Sequence, residues 1–247
     1  MVEQKSESAI ITSQKWVRVF FGGEVVADSK RPRLLRGIGQ IPVYYFPRED
    51  VEMDWLAPSG DDNPDIELGE GPWPDPPSGA TIMTIKVNGE VAENAAWLLE
   101  DDAAGAKLKG HVAFAWPAMD AWYEEDEQVH FHPHDPYHLI DVRASSRHVE
   151  VVIDNETIAS TRRPVILFET GLPARYYIPK MDVQMDLLEA TDKTTHCAYK
   201  GVAYYYSARL DDGQFIENVA WIYPYPNYQY APIQNLLAFQ EDFIQVD

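Results

Sequence analysis

The residues best able to do chemistry in this chain lie close together between His196 and Gly201. This segment holds the one cysteine of the sequence, Cys197, and a lysine three positions later, Lys200. An ammonium group near a thiol favours the thiolate, so the two residues are a candidate nucleophile and its activator. No fixed base is evident, because adjacent strand residues such as His196 and Cys197 point to opposite faces. The alternative interpretation is a small buried apolar cysteine.

Two arginines are candidate anchors for a polar group on a ligand. Arg163 precedes a proline, as does Arg31 much earlier in the chain, and it could instead brace a carboxylate such as Asp182. Arg175 is replaced by Val43 at the corresponding position of the repeat described below. The fold therefore does not require an arginine at Arg175, which favours a role in binding.

Aromatic residues are concentrated in the same part of the chain. Tyrosine hydroxyls, together with a lysine, could polarise a carbonyl group in a dry cavity. The alternative is that these rings belong to the core, as most aromatic residues of a β domain do. The predicted catalytic residues are Arg175, Tyr177, Lys200 and Cys197. The predicted substrate-binding residues are Arg163, Tyr176, Tyr199, Tyr205 and Trp221.

Metal and cofactor chemistry have little support in the sequence. Four histidines lie close together, but prolines interrupt their alternation and favour a connector over a metal site: His130, His132, His134 and His138. A Gly-rich phosphate loop, a GxSxG elbow and an HExxH helix are all missing from the sequence. We therefore expect neither a metal nor a cofactor.

The chain contains an internal repeat. Residues 18–56 align with 150–188 without a gap, and 15 of the 39 positions are identical. A second pair of segments, GEVAENAAW at 89–97 and GQFIENVAW at 213–221, follows in the same order. The shift between copies falls from 132 to 124, so the first copy has about eight extra residues between its segments. They fall in the acidic, Pro-rich stretch 57–79, which we expect to be a surface loop.

Turn residues divide the chain into many short extended segments. Gly22-Gly23 and Asp154-Asn155 each separate two apolar runs, which predicts two tight hairpins. Further strands are expected at 202–210, 215–223 and within 233–246, and short helical segments after Pro47 and Pro179. The predicted fold is mostly β, with two tandem small β-barrel or β-tent-like domains related by pseudo-two-fold symmetry. The predicted domains are a tail at 1–15, a first repeat at 16–124, a linker at 125–146 and a second repeat at 147–247.

Composition limits the classes of partner. The formal net charge of -20 disfavours phosphate backbones and anionic membranes. One cysteine cannot form a disulfide within the chain, and the sequence has no apolar run long enough for a membrane span. We expect a cytoplasmic protein, monomeric or homodimeric, that binds a small molecule rather than nucleic acid or a membrane.

The combined motifs resemble a known family from Trp16 onward. They are Arg-Pro, Leu-Pro-Ala-Arg-Tyr-Tyr-Ile-Pro, Cys-Ala-Tyr-Lys-Gly and Ala-Trp-x-Tyr-x-x-Pro, and they resemble the family catalogued as domain of unknown function number 427. That family also carries a nucleotidyltransferase-like label. The resemblance implies a small β-barrel or β-tent fold with a pocket and without a metal. In the family pattern a proline usually stands at Ala198, and arginines at His134 and Leu139. Their loss argues against an anionic ligand.

The residues favour three functional hypotheses. The first is a cofactor-independent enzyme of the isomerase or cyclase type that acts on an apolar, carbonyl-bearing metabolite. Pericyclic ring closure is one of the reactions it could catalyse. The others are a non-catalytic small-molecule binding module and a nucleotide-processing protein. Because the first copy has Trp73 to Pro77, without Cys, Tyr or Lys, where the second has His196 to Gly201, we expect the second copy to carry the site.

Overall fold

A computed structural model of the chain describes residues 9–37, 41–60, 73–100 and 108–247. The chain divides into two compact units, Met1–Asp135 and Pro136–Asp247. Each unit contains one seven-stranded antiparallel sheet and one smaller sheet among its described residues. The expected mostly-β tandem is therefore confirmed.

The first unit is built from short strands separated by turns. Its strands are β1 (Ala9–Thr12), β2 (Val17–Phe21), β3 (Glu24–Ser29), β4 (Arg33–Arg36), β5 (Val43–Pro47), β6 (Leu56–Pro58), β7 (Thr81–Val87), β8 (Glu90–Leu99), β9 (His111–Phe114), β10 (Ala121–Glu124) and β11 (Glu127–Val129). The larger sheet has the order β1-β4-β5-β9-β8-β7-β6, and the smaller one has the order β11-β10-β2-β3.

The second unit repeats this arrangement. Its strands are β12 (Ile140–Ala144), β13 (Val149–Ile153), β14 (Glu156–Thr161), β15 (Val165–Glu169), β16 (Arg175–Ile178), β17 (Leu188–Cys197), β18 (Gly201–Arg209), β19 (Phe215–Ile222), β20 (Leu237–Phe239) and β21 (Ile244–Val246). The sheet orders are β12-β15-β16-β20-β19-β18-β17 and β14-β13-β21. Strand for strand, the larger sheets have the same order, which is what a duplication produces.

Each large sheet is open rather than closed. Within the described residues, β1 and β6 are the edges of the first sheet, and β12 and β17 are the edges of the second. Of the two expected forms, the closed barrel is therefore not the one observed. The expected pseudo-two-fold packing of the units stays a prediction.

The hairpins predicted from turn residues are confirmed. Gly22 and Gly23 join β2 to β3 with φ of 59° and 80°, and Asp154 and Asn155 join β13 to β14 with φ of 46° and 66°. Glycine, aspartate and asparagine tolerate this left-handed backbone at low cost. The helical segments expected after Pro47 and Pro179 are present as short 3-10 turns. All 3-10 segments of the described chain are Arg48–Asp50, Met53–Trp55, Trp116–Ala118, Lys180–Asp182, Met185–Leu187, Tyr228–Ile233 and Glu241–Phe243.

Strands also occur inside the predicted tail and the predicted linker. β1 lies within residues 1–15, and β11 and β12 lie within 125–146. β1 pairs with β4 in the same register as β12 pairs with β15, with Ala9 opposite Arg36 and Asp141 opposite Phe168. The repeat is therefore longer than its conserved letters indicate. The predicted surface loop at 57–79 includes the end of β6, and its residues 61–72 lie outside the described residues.

Apolar residues on alternating strand positions form the cores. In the first unit one cluster includes Tyr45, Phe46, Ile85 and Trp97. In the second unit, β16 contributes Ile178 to a cluster shared with the smaller sheet, while other residues of the large sheet form a separate cluster. No helix in the described part of the chain is long and apolar enough to cross a membrane.

Candidate functional site

The candidate site lies on one face of the large sheet of the second unit. Because side chains alternate along a strand, Tyr176 packs against the core shared with the small sheet, and Tyr177 points to the opposite face. Tyr177 is only 1% exposed there. The apolar residues that share this face with it are Leu167, Ala203, Tyr223, Tyr230, Ile233 and Ala238. This face is thus a second, aromatic layer in which polar groups of the sheet are enclosed.

A buried ion pair stands at one end of this face. The Lys200 ammonium donates to Oε2 of Glu169 over 2.5 Å, and both side chains are 10% exposed. Nε2 of His138 lies 2.9 Å from the other oxygen of the same carboxylate. The imidazole ring stacks on Tyr199 with a centroid distance of 4.5 Å. We call these four residues, Glu169, Lys200, His138 and Tyr199, the carboxylate cluster.

The pKa of Glu169 reflects two opposed influences. Burial alone raises the pKa of a carboxyl group. The hydrogen bond and the charge of Lys200, with a further contribution from His138, outweigh that burial and lower the pKa of Glu169 below its ordinary value. The carboxylate therefore stays ionised, and the lysine is held as its partner.

The hairpin between β17 and β18 positions Lys200. Cys197 pairs with Gly201 across the hairpin, and the backbone N–H of Lys200 donates to the sulfur of Cys197 over 3.5 Å. The side-chain amide of Asn227 donates to the carbonyl of Tyr199 over 2.7 Å, and the Asn227 backbone N–H donates to that of Lys200 over 3.1 Å. These contacts tie the turn to the segment that follows β19.

Gly201 is required in this turn for two reasons. Its φ is +100°, in the left-handed region that favours glycine, and a Cβ there would lie 3.3 Å from the carbonyl oxygen of Tyr225. A larger residue would strain the turn and push away the segment after β19 that contains Tyr225.

A tyrosine and a tryptophan at the centre of the face recur in both units. In the first unit, the indole N–H of Trp97 donates to the hydroxyl of Tyr45 over 3.2 Å. In the second unit, burial raises the pKa of Tyr177, and the hydrogen bond with Trp221 opposes that rise only in part. Tyr177 therefore keeps its proton at neutral pH. Its recurrence as Tyr45 indicates that this pair supports the fold and orients the tryptophan.

Arg175 lies beside this pair. Its guanidinium carbon is 5.1 Å from the centroid of the Trp221 ring, a cation–π contact. Within the described residues, Arg175 forms no ion pair with a carboxylate. Its N–H donors are therefore available to an acceptor on a ligand.

Tyr205 extends the wall on the other side of Trp221. The two ring centroids are 6.1 Å apart, and the Tyr205 hydroxyl is 3.0 Å from the hydroxyl of Thr195. The ammonium of Lys193 lies 4.7 Å from the Tyr205 centroid. Arg175, Tyr205 and Trp221 are all half-buried, so together they present a partly exposed aromatic surface with a cation at its edge. We call these three residues the arginine–aromatic surface.

Most of the predicted site residues come together on this face, and two do not. Arg163 makes a two-point ion pair with Asp182, with N–O distances of 2.9 and 2.8 Å, and its side chain is 62% exposed. Arg31 lies similarly beside Glu49 and Asp50. This is the structural pairing considered as the alternative for Arg163. The second residue, Tyr176, lies on the core side of β16.

Sequence reasoning missed the central carboxylate, Glu169. It is 31 positions away from Lys200 and lies at the end of β15, which β16, β20 and β19 separate from β18 in the sheet order, so only the tertiary fold brings the two together. One signal in the sequence could have revealed it. The repeat replaces Glu169 by Gly37, and the segment matching Lys200 is Pro-rich, so both charges of the pair are missing from the first copy.

The histidines considered as a metal cluster are used differently. His138 belongs to the carboxylate cluster, and the side chain of His132 lies 2.7 Å from the carbonyl oxygen of Pro133. Among the described residues, no group of three or more histidine, cysteine, aspartate or glutamate side chains is arranged to hold a metal ion.

Fold and site together define a class of protein: a tandem of two related, mostly-β units in which the second carries a polar, aromatic face. The chain belongs to the family described as a domain of unknown function, DUF427, whose model matches residues 9–125 and 141–247. The two matches agree with the two units and include β1 and all of β12 except Ile140. No curated protein matches the chain.

Proposed function

We propose that the second unit is a cofactor-independent enzyme that isomerises or cyclises an apolar, carbonyl-bearing metabolite. The observation that carries the proposal is Arg175, a half-buried arginine that lies over Trp221 without a carboxylate partner among the described residues. A cation with free donors beside an aromatic surface is suited to a carbonyl oxygen on which negative charge develops.

The arginine–aromatic surface supplies the second requirement of such a reaction. The rings of Tyr205 and Trp221 lie at an angle of 37° to each other and offer flat apolar contact to a ligand. Holding a flexible molecule in one folded shape lowers the entropic part of the barrier to ring closure. This mode of catalysis needs neither a nucleophile nor a redox group.

The carboxylate cluster has a supporting role in this proposal. Lys200 is engaged by Glu169, so we assign it to positioning the hairpin and Tyr199 rather than to attacking a substrate. Cys197 accepts a hydrogen bond within the same turn and fits a structural role equally well. Tyr177, protonated and buried, orients Trp221.

Comparison with the first unit supports a specific role for these residues. The positions of Arg175 and Glu169 are occupied by Val43 and Gly37 in a sheet of the same strand order. Strand pairing also places Ile82 where the second unit has Tyr205, since each is opposite the recurring tryptophan. The fold is thus maintained without these polar groups.

The proposal is tested with protein isolated from its own host. Native mass spectrometry followed by mild denaturation identifies any small molecule released, and chromatography then follows its conversion to an isomer of equal mass. We expect Arg175→Val to abolish conversion and to fold normally, because valine occupies the matching position of the first unit. Arg209→Val is the matched control, since Arg209 pairs with Glu189 on the surface.

Each alternative gives a distinct result. A compound released unchanged in stoichiometric amount, with no isomer formed, indicates a binding module. A thermal shift with nucleotides and magnesium ions indicates nucleotide processing. Conversion that persists in Arg175→Val contradicts the proposed role of the arginine.

A further inference from the structure

The first unit contains a cavity whose described lining residues all belong to that unit. It holds about 340 Å³ of empty space when the open solvent at its mouth is included. Its lining comes from the start of β5, from β8, β9 and β10, and from the segments around Trp73 and Trp116. The aromatic lining residues are Tyr44, Trp73, Trp97, Phe114, Trp116 and Trp122.

We propose that this cavity binds a neutral, flat, bicyclic organic molecule that carries a hydrogen-bond acceptor. The expectation from the sequence was that the first copy mainly supports the second. The cavity gives the first copy a separate binding role, which does not depend on the function proposed for the second unit.

The shape and composition of the lining select a flat, neutral ligand. Trp116 and Trp122 are stacked, with centroids 4.2 Å apart and an angle of 8° between their planes, and so form a rigid planar wall. No charged side chain is among the described residues that line the cavity. A charged ligand would lose its hydration there without gaining an opposite charge, whereas a flat apolar ring gains aromatic contact.

One N–H group in the lining indicates that the ligand carries a hydrogen-bond acceptor. The indole N–H of Trp97 donates to Tyr45, and that of Trp122 donates to the carbonyl of Trp116 over 3.2 Å. The indole nitrogen of Trp73 is buried and has no hydrogen-bond partner among the described residues. Buried N–H groups are nearly always satisfied, so a ligand acceptor at Trp73 would supply the missing bond.

The repeat provides an argument against a purely structural origin of the cavity. Trp122 pairs with Val19, and the equivalent strand of the second unit places Ile244 opposite Val151. The 3-10 segment that begins with Trp116 in the first unit begins with Glu241 in the second. The second unit thus keeps its fold without the stacked tryptophans.

Titrations followed by the indole signals of ¹⁵N-labelled protein test the proposal. Coumarin is the probe with a carbonyl acceptor, naphthalene is the flat probe without one, and tetramethylammonium is the cationic probe. We expect coumarin to shift the Trp73 indole proton downfield and to bind roughly three- to tenfold more tightly than naphthalene, as one hydrogen bond provides. Tetramethylammonium is expected to leave the signals unchanged.

Two variants and one control make the result specific. Trp73→Phe keeps a flat ring and removes only the N–H donor, so coumarin and naphthalene should then bind about equally. Val43→Arg introduces the residue that the second unit holds at this position, Arg175, and should abolish binding of both flat probes. Trp55→Phe is the control, because Trp55 packs against the core without lining the cavity.

Three outcomes would overturn the proposal. They are the failure of both flat probes to bind the unmodified protein, preferential binding of tetramethylammonium, and unchanged binding in Val43→Arg. Amide spectra of each variant establish that it is folded. If Trp73→Phe does not fold, the proposal is still tested by the comparison of coumarin with naphthalene and by the Val43→Arg variant.

Discussion

Glu169 and Lys200 form an ion pair in which both side chains are 10% exposed, and the lysine lowers the pKa of the carboxyl group. Taking an ion out of water is costly, so a buried charge that loses its partner destabilises the folded state strongly. We expect Lys200→Met, which preserves the length of the side chain, to lower the free energy of unfolding by about 3 kcal/mol at neutral pH. Urea denaturation measures the change.

The double variant Glu169→Gln/Lys200→Met separates charge from packing. With both charges removed, most of the lost stability should return, because no ion is left buried. A double variant as unstable as Lys200→Met alone would mean that packing of the lysine chain is what matters. The unmodified protein should lose the contribution of Glu169 as the pH falls below its ordinary pKa of 4.5, since the folded-state pKa is lower.

Asp182 provides a second, more exposed test of acid stability. The hydrogen bonds from Arg163 and Thr161 lower its pKa from an ordinary value of 3.8 to about 2. Because the folded-state pKa is lowered, the stabilisation is complete above pH 3.8 and is lost as the pH falls through about 2. The arginine is largely exposed, so solvent screening limits the contribution to about 1 kcal/mol or less.

Asp182→Asn checks this pH dependence. Urea midpoints of the variant and the unmodified protein should differ near pH 7 and converge near pH 2. A difference of the same size at both pH values would show that the effect of Asp182 does not depend on its charge.

At the scale of elements, the β17–β18 hairpin depends on Gly201. We expect Gly201→Ala to destabilise the protein by about 1–3 kcal/mol, because alanine meets both an unfavourable φ and the carbonyl of Tyr225. Gly213→Ala is a matched control, since Gly213 has a φ of +90° in another hairpin and open space around it. Comparing the thermal unfolding of both variants isolates the cost of the contact with Tyr225. If both variants lose the same stability, that contact contributes nothing.

Local turn chemistry is what made the hairpins predictable. Residues such as Gly22 and Asn155 tolerate a left-handed backbone, and that preference is readable in a few letters of sequence. β1 and β12 were not predictable in this way, because their pairing is set by distant partners and their sequences, AIIT and IDVRA, have no identical residue at matching positions.

The same distinction applies to the candidate site. Arg175, Tyr177 and Trp221 could be selected because each lies in a segment that occurs in both copies, where the copies can be compared position by position. Glu169 was not predicted as a site residue because its partner Lys200 lies on a distant part of the sheet. The order and register of strands are properties of the whole fold.

At the scale of the whole molecule, each unit has its own sheets and its own core clusters. We therefore expect residues 136–247, produced alone, to fold and to unfold in one cooperative transition. Circular dichroism melting of the fragment measures this. A fragment that stays unfolded, or melts without a transition, would mean that the second unit depends on the first for its stability.

The irregular edge strand of the second large sheet bears on how the protein behaves at high concentration. β17 is ten residues long and lies at the edge, but its pairing with β18 shifts register between Ala190 and Thr194, where Asp192 and Lys193 are exposed. A long regular edge is a template for another strand, and a bulge with outward charges removes that template. The strand that ends at the candidate site is thereby protected from amyloid-like association.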